Sequence, residues 1–148
     1  VADGKPVVIR FKGDVPAWFM IPHILFMFVA MLFSNLTGIL VLFKDKRYKK
    51  YLKLSFYFLI LGGLIFGPII QKYAFGHFWT GFPFGYDLTD NKTLIGIVFF
   101  AIAYFGNLKK DRPWLAFAAV IGLLLVYSIP HSMFGSQLDY GSGKVVSG

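Results

Sequence analysis

Three histidines, His23, His77 and His131, and seven acids that are all aspartate carry the ligand and proton chemistry open to this 148-residue chain. There is no cysteine, which excludes disulfides, iron–sulfur clusters, thiolate zinc sites and covalent c-type haem. Neutral imidazole is left as the strongest ligand, and it suits haem iron as well as zinc, copper and nickel. His23 and His131 each close the same string, Ile21-Pro22-His23 and Ile129-Pro130-His131, while His77 sits in an aromatic-rich stretch with Asp87 and Asp90 not far behind it. No G-x-S-x-G turn and no phosphate-cradling glycine loop is present, so a stand-alone enzyme is not expected.

The elements that must position these residues are membrane helices. The chain is 57% hydrophobic, 20% aromatic and only 15% charged, with a mean hydropathy of +0.65. A soluble domain is about 45–50% apolar and about 25% charged, so a soluble enzyme, a disordered chain and a disulfide-stapled domain are excluded. Spanning helices need about 20 mainly apolar residues. Four stretches qualify, at about 18–43, 54–70, 91–108 and 114–134. They predict an all-α integral membrane protein, a four-helix bundle in a single membrane domain of residues 1–148. The third stretch is short, so its helix should begin near Asp90, with Thr89 or Asp90 as its N-cap.

Lysine and arginine set the orientation. Residues 44–53 carry six basic residues and one acid, and residues 107–112 carry three and one; everything else holds six bases against five aspartates. Both basic connections are therefore expected on the cytoplasmic side of what reads as a bacterial inner membrane, with both termini and all three histidines on the extracytoplasmic side. The net charge of +8 is then a topology signal that acidic lipid headgroups satisfy, and nucleic acid is not an expected partner. Arg10 and Lys12 precede the first span, but that span is too long for a signal-peptide core and no A-x-A site follows.

The histidine-bearing end should be irregular. A proline within a helix frees the carbonyl four residues back, and Pro22, Pro68 and Pro130 would free those of Trp18, Leu64 and Val126. In lipid such carbonyls need new partners. Between the second and third spans, residues 72–93 hold seven aromatics and three glycines in 22 residues, too apolar for disorder. This connection is expected to fold into an extracytoplasmic cap, anchored by Trp79 and its Phe and Tyr neighbours.

Four readings follow. The first is a small subunit of a larger redox or energy-transducing complex, in which His23 and His131 ligate a b-type haem or related tetrapyrrole and pass electrons, His77 bonds a propionate or quinone, and Lys72 or Lys92 neutralises a propionate. The second is a metal site drawn from His23, His77, His131 and Asp87. The third is a quinone pocket beneath the cap, largely apolar with a few convergent polar groups. The fourth is a cofactor-free accessory subunit that packs against a larger membrane complex, its histidines bonding freed carbonyls and Asp87 and Asp90 capping a helix. Four helices with histidines near one face resemble the small cytochrome b subunits of respiratory enzymes. That resemblance implies haem ligation, and three histidines limit it to one bis-histidine haem.

Overall fold

The computed structural model describes residues 13–85, 87–129, 136–139 and 144–147. It contains α1 (Ala17–Leu42), α2 (Tyr48–Leu59), a π-helical segment (Ile60–Phe66), α3 (Gly67–Phe75), α4 (Leu88–Gly106) and α5 (Pro113–Ser128). Helix α2, the π-helical segment and α3 run on without a break, and this rod, α1 and α4 are each long and apolar enough to cross a membrane. The chain is a helical membrane protein. One element departs from the all-α expectation: β1 (Ser136–Asp139) and β2 (Lys144–Ser147) form an antiparallel hairpin, with Asp139 opposite Lys144. Its signal is the glycine-containing string Tyr140-Gly-Ser-Gly143 between two short runs.

Helix α1 packs on α2, α2 on α4, α4 on α5 and α5 back on α1, which closes the bundle. Small residues permit the close approach. Ala30, Ser34 and Thr37 of α1, Ala103 of α4 and Ala116 of α5 are fully buried, as expected where lipid gives no hydrophobic drive and association rests on tight packing. A Cβ on Gly38 would come within 3.1 Å of Val120, and one on Gly96 within 2.9 Å of Leu123. Ser55 donates to the Ala30 carbonyl at 2.7 Å, a direct bond from α2 to α1.

The π-helical segment has a reason in the sequence. Phe19, Phe26 and Phe33 recur every seven residues along α1 and touch a matching row on the neighbouring rod: Phe33 meets Tyr51 and Phe58, Phe26 meets Phe58 and Phe66, and Phe19 meets Phe66 and Tyr73. The intervals in that row are seven (51 to 58), eight (58 to 66) and seven (66 to 73). The middle interval holds one residue too many for an α-helix to keep the row on one face. A π-turn absorbs an extra residue, and the π-helical segment lies in that interval.

Three boundaries differ from expectation. The second helix passes Pro68, which directly follows the π-helical segment, and ends at Phe75. Gly76, in the left-handed conformation at φ 82°, stops it. The irregular connection therefore runs only from Gly76 to Asp87. Helix α4 starts at Leu88 and its cap is Asp87, not Thr89 or Asp90: the Asp87 carboxylate accepts from the amides of Thr89 at 2.8 Å and Asp90 at 3.1 Å. Helix α5 ends at Ser128, since a residue before proline disfavours the α conformation and Ile129 is extended at ψ 120°; the rest of the expected span, 130–134, lies outside the described residues.

At the basic end, one side chain ties the connections together. Buried Asn107 donates to the carbonyls of Ala103 and Arg112 at 2.8 and 3.1 Å, and accepts from the Arg112 amide at 2.8 Å and the Tyr48 hydroxyl at 2.7 Å. Asn107→Ala should lower unfolding stability in detergent by about 2–3 kcal/mol, since it orphans several buried groups. Tyr48→Phe, which leaves Asn107 its other bonds, should cost only about 1 kcal/mol in the same thermal melts.

Candidate functional site

At the opposite end the bundle opens into a cavity of about 680 Å³. Its walls come from the segment before α1 (Gly13, Val15), from α1 (Met20, His23, Met27), from the rod (Leu59, Gly63, Gly67, Gln71), from the first turns of α4 (Asp90, Lys92, Thr93) and from the last turns of α5 (Leu123, Val126, Tyr127). The volume lies in the range of cofactor and drug-sized pockets, about 300–1,000 Å³, and a mostly apolar wall with a few polar groups is their usual make-up.

His23 is the best-positioned of these groups. Its Nδ1 lies 2.8 Å from the carbonyl oxygen of Gly62 in the π-helical segment. A carbonyl only accepts, so Nδ1 carries the proton, and a neutral ring then holds its lone pair on Nε2. Gly62 makes this approach possible, since a Cβ there would stand 2.8 Å from the Met27 sulfur. Gly67 lies beside the ring, where an added Cβ would stand 3.9 Å from His23 Cε1, an ordinary contact.

The Gly62 carbonyl is not one that proline frees. It already accepts the Gly67 amide within the π-helical segment, whereas the carbonyl that Pro68 leaves without its α-helical donor is that of Leu64. His23 thus takes the second lone pair of a carbonyl already bonded. The bond orients the imidazole more than it rescues the backbone.

Two further polar groups shape the wall. Lys92, buried within the first turns of α4, donates its ammonium to the Ile129 carbonyl just past the end of α5, a favourable place for a cation. Asp90 is buried and accepts from the Thr80 amide at 2.7 Å and the Thr80 hydroxyl at 3.1 Å, and Gln71 donates to that hydroxyl at 2.5 Å. Together with the bond from the Phe82 amide to Asn91 at 2.7 Å, these contacts pin the Gly76–Asp87 connection onto α3 and α4. Its rings of Phe78, Phe82 and Phe84 are exposed.

Of the residues singled out by sequence, His23 and Lys92 line the cavity together, and Asp87 reaches its edge while capping α4. His77 is exposed on the connection and is not part of the wall. Lys72 bonds the Gly76 carbonyl at 2.8 Å and lies 5.3 Å over the Phe78 ring, also away from the wall. His131 lies outside the described residues. Among the described residues no group of three or more histidines and carboxylates is placed to hold a metal ion. Sequence reasoning missed Gln71 and Tyr127 as site residues, and neither carries a signal in the sequence that sets it apart.

No family model, curated protein or solved structure matches the chain. The geometry of the site is therefore the basis for its function.

The cap on α4 can be tested directly. Asp87→Ala should cost about 1 kcal/mol and speed amide hydrogen exchange at Thr89 and Asp90 above all. Equal exchange at those two amides in the variant and the parent would show that the cap does not hold the helix start.

Proposed function

We propose that this chain is a four-span subunit of a larger redox or energy-transducing membrane complex, and that its cavity holds a b-type haem with His23 as an axial ligand. The observation that carries this reading is the hydrogen bond from His23 Nδ1 to the Gly62 carbonyl. Metal-ligating histidines almost always donate their other ring N–H to a carbonyl, carboxylate or water, which fixes the tautomer and raises ligand basicity. His23 has that arrangement and borders a cavity of suitable size.

His131 is assigned as the second ligand. It follows Ile129 by two residues, and the Ile129 carbonyl is held by Lys92 of the cavity wall. Lys92, on the cavity wall, would meet a propionate, a role that Lys72, away from the wall, does not share. When bound, haem supplies one-electron chemistry, and the chain's residues hold it, set the polarity around it and exclude lipid.

The fourth span of the proposal is α5. At 16 residues it extends about 24 Å, less than the roughly 30 Å hydrocarbon core. It carries no charge and buries Ala116, Ala119, Val120 and Leu123 in the bundle while exposing Trp114, Ile121 and Leu125. Basic connections at one end support an extracytoplasmic histidine end, with the aromatic Gly76–Asp87 segment as its cap. A second reading keeps the cavity and replaces haem by a quinone; the Gln71, Thr80 and Asp90 cluster at the wall favours it, because a quinone headgroup needs hydrogen-bonding and proton-exchanging neighbours.

A reduced-minus-oxidised spectrum with pyridine haemochrome quantification on purified protein separates these readings. The haem reading expects about one haem per chain, lost in His23→Ala and in His131→Ala with helical content retained, and kept in His77→Ala. A folded protein with no Soret band, expressed with haem in supply, overturns it. Quinone in the extract would then favour the second reading, and no cofactor at all would favour an accessory subunit.

A further inference from the structure

At the basic end, the seam between α2 and α4 has a register that can be read from its contacts. Tyr57 meets Tyr104 at 6.2 Å between ring centroids, Phe56 meets Phe105 at 6.2 Å, and two turns closer to the helix ends Lys49 pairs with Asp111. The helices are antiparallel, so the paired residue numbers sum to about 161 along the seam. Lys53 on α2 therefore stands level with Leu108 and Lys109 just past α4, between the ion pair above and the aromatic contacts below.

The charges there lack carboxylate partners. The connections 44–53 and 107–112 hold nine basic residues and two aspartates, and both acids are taken: Asp45 by Arg47 at 2.7 Å, and Asp111 by Lys49. The Lys49 ammonium, aided by the field of Lys46, holds the Asp111 carboxyl below the usual carboxylate range. Among the described residues, Lys53 and Lys109 form no ion pair, and both are exposed. Lys53 lies 5.6 Å over the Tyr57 ring, which holds its charge at the seam.

The surface just below these lysines is apolar. Tyr57, Phe105 and Leu108 are all exposed large side chains, with Phe105 at 62%. A free anion would satisfy the lysines and leave this surface bare, while an apolar partner would leave the lysines unpaired in a low-dielectric rim. An occupant that matches both has an anionic head joined to hydrocarbon.

We propose that the α2–α4 seam is a binding site for an anionic phospholipid, its phosphate between Lys53 and Lys109 and its acyl chains along Tyr57, Phe105 and Leu108. The site is independent of any cofactor at the other end. Basic residues near a membrane surface attract acidic lipid, so loss of the pair should weaken affinity by an order of magnitude or more.

The test uses the full chain in detergent, titrated with phosphatidylglycerol and followed by native mass spectrometry. One tightly retained lipid per chain is expected, weakened at least tenfold in Lys53→Gln/Lys109→Gln. Lys44→Gln/Lys50→Gln, which removes the same charge at the same end away from this seam, should stay within about twofold of the parent. Equal loss in both double variants would overturn the site in favour of diffuse attraction. Equal retention of phosphatidylcholine, or competition by inorganic phosphate as strong as by the lipid, would overturn the lipid assignment. Circular dichroism confirms that each variant is folded before titration.

Discussion

A carbonyl in hydrocarbon must have a partner, and much of this structure follows from how that demand is met around the π-helical segment. Pro68 removes one amide from the rod, and the one-residue excess between Phe58 and Phe66 displaces the hydrogen-bond pattern of the turn before it. The Gly67 amide reaches Gly62, so the backbone closes on itself there. What remains is the second lone pair of the Gly62 carbonyl, and His23 takes it. A neutral hydrogen bond of this kind contributes only about 1 kcal/mol to stability. Its larger consequence is directional: it sets which imidazole nitrogen carries the proton, and hence which one can serve as a ligand.

The aromatic row shows why the π-turn stays where it is. Phe19, Phe26 and Phe33 can meet the rod only if Tyr51, Phe58, Phe66 and Tyr73 share one face. A continuous α-helix would rotate Phe66 and Tyr73 by about 100° per surplus residue, away from α1. Keeping both halves of the row in contact therefore requires the widened turn, and the glycines at 62 and 63 let that turn sit close against Met27 and Thr93. Sheet-like or loop alternatives would break the backbone bonding that the membrane demands.

Much of this is legible in the amino-acid sequence. Long apolar runs identify the helices, and the proline positions mark the irregular end. The boundaries are less legible, because they depend on local competition: Asp87, Thr89 and Asp90 are all credible caps, and Asp87 serves because Asp90 is bonded to Thr80 of the connection. That choice depends on how a distant turn folds back. The same holds for Lys72 and Lys92, equivalent as charges in sequence, which separate once Gly76 folds back onto the Lys72 ammonium. The widened turn is present as an interval of eight among sevens, visible only when α1 and the rod are compared as a pair.

The two ends of the bundle differ in a way that argues for a division of labour. At the basic end Asn107 satisfies four backbone and side-chain partners at once and the helices meet through alanine and glycine, so this half is closed. At the histidine end α1 runs through Pro22 and the rod through Pro68, while Gly76 stops α3 and Pro130 follows the end of α5, so two helices stop short there. The space that results is bordered by an oriented imidazole, a buried ammonium and a bonded carboxylate. Buried polar groups carry a desolvation cost that leucines would not. A chain needing only to fold would fill that volume with hydrocarbon, so the arrangement is best understood as a rigid half that holds an open half in shape.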